Sequence, residues 1–566
     1  MKNIEIIRHS LSHILAAAID KLYPQTKFGV GPAIENGFYY DFDLKNSISP
    51  DDFDKIQEKM KELIDQDIKF KKEIISKEKA EKLFKNQPYK LELLKDMTGE
   101  ISIYKSGDFV DLCKGPHVKS TKELSKNAFK IQRVAGAYWK GNENNKMLTR
   151  IYGIAFKNKK HLDEFIKKQE QAKKRDHRRL GEKLNLFMID DEVGAGLPLW
   201  KPKGALLRKT IENYLYDELS KQNYDWIATP HIGKIDLWKK SGHWEMYRED
   251  MYSPIEIEGK KYLIKPMNCP FHVKIYNSDI RSYKDLPIKY AELGTVYRYE
   301  RSGTLHGLTR VRGFTQDDAH IFCTPKQLRQ EAVKLLKHGL AILSDFGFDD
   351  YNIYLSTQPE KFAGNQKGWD RATKTLKEVL KDLDLEYEVD EGGGVFYGPK
   401  IDIKVKDSLD RKWQCTTIQI DFNLPERFNI TFINKNGKKE KPFMIHRALL
   451  GSMERFIGVL IEHYGGAFPF WLAPIQACII PIGENNIQYA KKVAKKLKKD
   501  NIRVKIWKSD ETLSNRIRKA ENQKIPYMIV VGEKEEKAKK INVRHYKKGE
   551  MGQMTLNEFI NKTKKE

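Results

Sequence analysis

The spacing of apolar residues along the chain changes several times. Near the start, Leu11, Ile14, Leu15, Ala18 and Ile19 recur at three- and four-residue steps, which predicts an amphipathic helix over residues 8–22. Residues 51–82 read as a charged helical stretch. Short alternating runs such as 102–104 and 150–156 then predict strands. Residues 157–183 are strongly basic, with Leu162, Phe165 and Ile166 at helical spacing, and predict a linker helix. From about 187 to 470, helices and long strands alternate irregularly. Strand candidates there include 289–297 and 418–422, an order that suggests α+β with a largely antiparallel sheet. From Trp471 the alternation becomes regular: strand 477–482, helix 487–499, strand 504–507, helix 511–521 and strand 527–531. That pattern predicts a small α/β domain with a parallel sheet. The expectation is an α+β multidomain chain divided at 1–156, 157–186, 187–470 and 471–566.

At 566 residues the chain is too long for a single core. A net charge of +25 points to a polyanionic partner, because Lys and Arg neutralise phosphates, although a generally Lys-rich proteome also raises this figure. Five scattered cysteines with no CxxC argue against a disulfide scaffold. The charged start excludes a signal peptide, and no long apolar run implies a membrane span. A cytoplasmic protein is expected.

Three segments carry candidate chemistry. The first, 204–232, is a helix closing in a strand at Thr229-Pro230. The second, 294–320, places Arg298 and Glu300 two apart on a strand, then a Gly-containing loop and a second basic strand with Arg310 and Arg312. An Arg beside a flexible loop suits a phosphate, since its planar fork binds oxygens in pairs. The third, 445–462, reads as a helix start with Gly451, Glu454 and Arg455 before an apolar face. Singly, each passes for ordinary structure. Together they resemble motifs 1, 2 and 3 of the class II aminoacyl-tRNA synthetases. The tracts Arg310-Val-Arg-Gly-Phe-Thr-Gln-Asp-Asp-Ala-His-Ile-Phe322 and Pro266-Met-Asn-Cys-Pro270 resemble the threonine-specific branch of that family in particular.

The resemblance, which covers essentially the whole chain, implies an antiparallel sheet cradling ATP and magnesium. It also implies a threonyl-adenylate intermediate, transfer to tRNA(Thr), and a homodimer formed through 204–230. Arg298 is expected at the α-phosphate, Arg455 at the γ-phosphate and Glu300 at adenine. Cys269, His320 and His446 are expected to hold zinc, and Asp318 to accept a hydrogen bond from the substrate hydroxyl. Met267, Tyr397 and Gln316 are expected as pocket walls, with Lys400 and Gln414 as further substrate or ATP contacts. A metal that binds threonine's amine and hydroxyl would reject isosteric valine, which an apolar pocket cannot do.

Serine keeps both groups and lacks only a methyl, so a second, hydrolytic site is needed. His9-x3-His13 puts two imidazoles on one helix face, and the tract from Asp111 to His117 adds Cys113. Ser10 follows His9 where a zincin-type protease carries its general-base Glu, which argues against that reading. This region resembles the second N-terminal domain of bacterial members, which hydrolyses seryl-tRNA. It implies an editing site of His9, His13, Cys113 and His117, with Lys90 and Asp111 as helpers. The quartet either holds zinc or positions water directly, and the expectation is that no metal is required. Most bacterial members begin with a small β-grasp domain. Here the editing helix starts within ten residues of Met1, so that domain is expected to be absent. The C-terminal unit resembles an anticodon-binding domain, with Arg516, Arg518, Glu535 and Arg544 as candidate base contacts. Two rivals remain. A non-catalytic RNA-binding paralogue would be expected to lose Arg298, Glu300, Arg455 or the zinc trio first. A prolyl or seryl synthetase would lack that trio together with the His9/His13 region.

Overall fold

The computed structural model describes residues 3–507 and 510–564, and the chain forms two compact units, Met1–Glu170 and Gln171–Glu566. The first is built on the helix Asn3–Leu22, whose Leu11, Ile14, Leu15, Ala18 and Ile19 are buried. They pack against an antiparallel sheet in which Gly37–Asp43 lies between Lys27–Phe28 and Met147–Ala155, with Phe129–Tyr138 outermost. Phe38, Tyr40 and Phe42 alternate onto the covered face. The charged stretch 51–82 is not one helix. A strand, Phe70–Ile75, separates helices Phe53–Asp65 and Lys77–Leu83, because it pairs with Ile101–Ser106 in a second small sheet.

The basic tract 157–183 also differs from expectation. It forms two helices, Lys159–Arg175 and His177–Lys183, parted at Asp176. The Asp176 side chain accepts the Arg178 N–H (2.8 Å), so a capping residue ends one helix and starts the next.

The centre of the second unit is an eight-stranded sheet. Its middle strands, Ile288–Tyr297, Gly313–Cys323, Phe443–Ser452, Lys412–Asp421 and Lys400–Lys406, run antiparallel. Ala319, Ile321, Cys323 and Ile445 face the large apolar core with the helices Pro202–Lys221, Leu328–Asp345 and Met453–Tyr464. The alternate positions face the opposite side, and this alternation places the chemistry.

Several local expectations change. The strand expected to carry Arg298 and Glu300 ends at Tyr297, and the Glu300 N–H turns back to the Arg298 carbonyl (3.0 Å). Arg310 and Arg312 lie in a turn before the strand Gly313–Cys323, not on a second strand. Residues 443–452 form a strand and the helix begins only at Met453, where Ser452 caps it by accepting the Arg455 N–H. Gly451 sits at φ +80°, which lets the strand turn into that helix. The helix Pro202–Lys221 is followed by a two-residue strand, Asp225–Trp226, so Thr229-Pro230 lies beyond it. Leu207, Ile211, Leu215 and Leu219 serve the chain's own core. In the C-terminal region, Val504–Ile506, Ala477–Pro481 and Tyr527–Val531 are parallel as expected. Ile541–His545 and Gly549–Met554 add an antiparallel edge. No helix among the described residues is long and apolar enough to cross a membrane.

Candidate active site and N-terminal histidine–cysteine cluster

Sheet register brings together residues that the sequence keeps far apart. His320 and His446 are direct cross-strand partners, with Gln419 next in the row. The helix Cys269–Tyr276 covers this face and adds Cys269. The ligand atoms of Cys269, His320 and His446 all lie within 4.8 Å of one another, and all three residues are buried.

A chain of hydrogen bonds runs through the two histidines. Glu292 Oε2 meets His272 Nε2 (3.0 Å), and His272 Nδ1 meets His320 Nδ1 (2.8 Å). His320 Nε2 meets His446 Nδ1 (3.0 Å), and His446 Nε2 meets Asp421 Oδ2 (2.9 Å). Carboxylates only accept, so four contacts need four ring protons, and three neutral imidazoles supply three. One contact therefore holds two opposed lone pairs unless an extra proton or a cation fills it. The carboxylates draw N–H groups outward and leave the deficit between imidazoles. Of the two imidazole contacts, His320–His446 is the one beside a third donor, Cys269. Burial pushes the Cys269 thiol well up and His320 well down from their usual ranges, in the thiol's case assisted by Asp318 and Asp421. The residues thus fit a metal ion: two imidazole nitrogens set face to face, a thiol that gives up its proton on binding, and fixed backing groups.

The surrounding cavity measures about 430 Å³ and is lined by Met267, Arg298, Gln316, Asp318, Tyr397, Gln414 and Arg455, among others. Asp318 accepts from the Asn268 amide (3.0 Å) and stands 3.8 Å from His320. Burial pushes the Arg455 guanidinium down, and its Nε is buried with no hydrogen-bond partner. Arg298 adds a second positive charge to the same wall. Two cations with an unsatisfied donor between protein walls make an anion site. Gln414 reaches Asp402 (2.8 Å) from the cavity wall, whereas Lys400 is off the wall and paired to Asp402 (2.6 Å). Glu300 is also off the wall. It lies in a neighbouring hollow, bonded to Arg310 (2.9 Å), and Asp250 borders both spaces.

Sequence reasoning missed His272, Glu292, Asp421 and His243, whose Nε2 is 3.7 Å from Cys269 Sγ. The C-P-F-H spacing of Cys269 and His272 places both on one helix face and was the one local signal available.

In the first unit, His9, His13, Cys113 and His117 meet as a second cluster. Cys113 Sγ lies 3.4 Å from His9 Nε2 and 3.3 Å from His117 Nε2. Ser10, missed in the sequence, stands 3.2 Å from His117 Nδ1 and fixes that ring. Lys90 pairs with Asp111 and donates to the Tyr40 hydroxyl (3.0 Å), which in turn donates to Asp111 (2.6 Å); His13 Nε2 lies 3.5 Å from Asp111. Burial pushes the Cys113 thiol up to about 11, so it is not a thiolate at neutral pH.

Two of the four expected anticodon contacts are occupied internally. Arg516 is 3 % exposed and donates to the Pro481 and Ile482 carbonyls. Glu535 is 6 % exposed, accepts the Gly532 N–H (2.9 Å) and bonds Gln553 (2.7 Å). Arg518 is exposed, and Arg544 is half-buried near Glu521.

Comparison with known proteins decides the family. The description "tRNA synthetase class II core domain (G, H, P, S and T)" fits residues 252–464, and "Anticodon binding domain" fits 476–566. "Threonyl and Alanyl tRNA synthetase second additional domain" fits 101–152. A threonine–tRNA ligase of Borreliella afzelii is 50% identical over 98% of this chain and 96% of its own length. The chain belongs to the threonyl-tRNA synthetase family. Another member, from Aquifex aeolicus, is 51% identical over 99% of this chain and 88% of its own. A crystal structure of the RNA binding domain of the Cryptosporidium parvum threonyl-tRNA synthetase is 40% identical. It covers 69% of this chain and 98% of its own length, with a TM-score of 0.67. In this synthetase, then, the metal-fitting trio lies within the class II core. Cys113 and His117 lie within the second additional domain.

Burial holds His9, His13 and His117 below the usual imidazole range, in His13 and His117 assisted by neighbouring histidines. The unfolded chain therefore takes up protons first as pH falls below 6.5. The stability these groups contribute is complete above that pH and is lost on acidification. Replacing His117 with Gln should flatten the pH slope of unfolding free energy in that acid range by up to about 1.4 kcal/mol per pH unit. Amide exchange in the helix Asn3–Leu22 reads this slope, and an unchanged slope would contradict the buried neutral ring.

Proposed function

We propose that the cavity around Arg298, Asp318, Arg455 and the Cys269/His320/His446 trio makes threonyl-adenylate, and that the N-terminal cluster hydrolyses seryl-tRNA(Thr). The chain is a threonine–tRNA ligase with a class II core, which uses magnesium with ATP. The reading rests on one observation: guanidinium groups, a metal-fitting trio and a positioned carboxylate share one cavity wall.

The threonine carboxylate attacks the α-phosphorus and pyrophosphate leaves. Arg298 stabilises charge growing on the α-phosphate, and Arg455 holds the γ-phosphate. Glu300 is assigned to adenine from the adjoining hollow. Zinc suits the Cys/His/His donors, and when bound it would offer open positions for threonine's amine and hydroxyl, which valine cannot fill. Asp318 accepts a hydrogen bond from the hydroxyl, and Met267, Gln316 and Tyr397 shape the pocket. Gln414 and Lys400 meet at Asp402 and orient that wall. The terminal ribose hydroxyl of tRNA(Thr) then attacks the adenylate carbonyl, and AMP leaves.

Residues 1–156 form the editing domain, 157–186 the linker, 187–470 the catalytic domain and 471–566 the anticodon-binding domain. In the first, a protonated thiol is a poor nucleophile, so the Cys113 environment favours attack by water. His9, His13, Cys113 and His117 orient that water without a required metal. Lys90 and Asp111 fix the site from below. Arg518 and Arg544 are the surface groups left to meet anticodon bases. The enzyme works in the cytosol, where its five cysteines stay reduced.

The two sites should separate by mutation. His320→Ala should abolish threonine-dependent pyrophosphate exchange and lower bound zinc. His13→Ala and Cys113→Ala should leave exchange intact and lose deacylation of preformed seryl-tRNA. Full zinc occupancy with normal exchange in the first variant, or unchanged deacylation in both of the others, would refute the respective assignment.

We also propose a homodimer through 204–230. After the core takes its share, Leu206 (40 % exposed) and Tyr216 (54 %), stacked on Trp226, remain outward. A shallow hollow of about 300 Å³ beside them runs to Glu292. Light scattering at micromolar concentration should give twice the chain mass of 66.1 kDa, and a monomer would refute it.

A further inference from the structure

We propose that His177 is a positioning residue that pins the loop between Tyr297 and Gly313 and thereby sets ATP binding. The inference rests on the assignment of that loop, with Arg298, to ATP.

The loop has little else to hold its tip. Between residues 301 and 310 only Leu308 is buried, and its neighbours are exposed or half-exposed. Leu308 itself is 0 % exposed and enters the large apolar core. Its backbone N–H therefore leaves water and needs an acceptor. His177 Nε2 is that acceptor, at 3.0 Å.

The other ring nitrogen is equally committed. His177 Nδ1 lies 2.6 Å from Glu462 Oε1, which also accepts the His177 backbone N–H (3.0 Å). Glu462 belongs to the helix Met453–Tyr464, the helix that carries Arg455. A carboxylate accepts and an amide N–H donates, so the ring is fixed as the neutral Nδ1–H tautomer. Arg411 pairs with Glu462 (2.5 Å) and with Asp407 (2.6 Å), which holds the carboxylate in place. The grouping of Asp176, His177 and Glu462 looks like a metal site by proximity. Both imidazole nitrogens are already used, so it has no imidazole donor to offer.

Two glycines make the approach close enough. A Cβ on Gly307, at φ +50°, would fall 2.2 Å from His177 Nε2. A Cβ on Gly458 would meet Leu308 Cβ at 3.3 Å. The loop tip, the His177 ring and the helix of Arg455 thus form one packed junction. The break at Asp176 places His177 as the first residue of its helix and delivers the ring there. At the open end, Arg312 Nε donates to the Glu300 carbonyl and Arg298 N–H to the Arg312 carbonyl (2.9 Å each). Pinning the tip therefore restrains both ends of the segment that presents Arg298.

The test uses the full enzyme. In the wild type, the Leu308 amide should exchange far more slowly than the other amides of 301–310. In His177→Phe, which keeps bulk but loses both bonds, that protection should fall and the KM for ATP in pyrophosphate exchange should rise at least about tenfold. Bound zinc and seryl-tRNA deacylation should not change. His177→Gln carries a donor and an acceptor on adjacent positions and should restore most of the ATP affinity. A Leu308 amide as labile as its neighbours in the wild type overturns the proposal, and needs no variant to fold. So does a folded Phe variant with undiminished protection. Lost protection with unchanged KM for ATP would instead show that the loop is pinned but does not serve ATP, and so would strike the functional assignment of the loop.

Discussion

Four hydrogen-bond contacts with three protons to fill them constrain the whole catalytic centre. The row from Glu292 through His272, His320 and His446 to Asp421 is buried, and only His320 and His446 also border the cavity. A cation held between His320 and His446, next to Cys269, would relieve the shortfall. The fold is organised around keeping that gap open. Cross-strand register sets the two imidazoles opposite one another, and the helix of Cys269 and His272 closes over them. Glu292, which backs one end, also accepts the Thr229 N–H (2.8 Å) beyond the helix Pro202–Lys221. The proposed metal centre is therefore tied by hydrogen bonds to the region assigned to the dimer contact.

The same centre explains why two sites are needed. Coordination can separate threonine from valine, because the hydroxyl is either a ligand or absent. It cannot separate threonine from serine, where the difference is one methyl, worth ~1–3 kcal/mol. The second cluster has a different character. Its thiol is held protonated, its imidazoles are held neutral, and a Lys–Asp–Tyr group lies beneath them. Such groups would suit the orienting of water, and they are set in a separate unit from Arg298 and Arg455.

Much of this was legible in the sequence, and the limits are instructive. The amphipathic helix with His9 and His13 was visible because a 3.6-residue period puts both rings on one face. The alternating C-terminal elements were visible because the strands Ala477–Pro481 and Tyr527–Val531 are apolar runs buried almost throughout, with a Lys-rich helix between. The trio Cys269, His320 and His446 has no spacing to read, since sheet register, not sequence distance, makes the last two neighbours. It was found only through resemblance. His272, Glu292 and Asp421 act behind the ligands and leave no motif, apart from the short step from Cys269 to His272. Local geometry was read too regularly. Residues 51–82 hide a strand that exists because a partner strand pairs with it, and residues 157–183 break where Asp176 caps. Arg516 and Glu535 looked like base contacts because charge suggests a surface, yet both are buried and bonded within their own domain, Arg516 to carbonyls and Glu535 to the Gly532 N–H and Gln553.

The proton count can be observed directly by ¹⁵N NMR of the histidine ring nitrogens in zinc-loaded and metal-free enzyme. The account predicts that the loaded protein carries its protons on His320 Nδ1 and His446 Nε2, with none between the two rings. In the metal-free protein the His320 proton should no longer be confined to Nδ1. A loaded enzyme in which His320 Nε2 or His446 Nδ1 still carries a proton would contradict it.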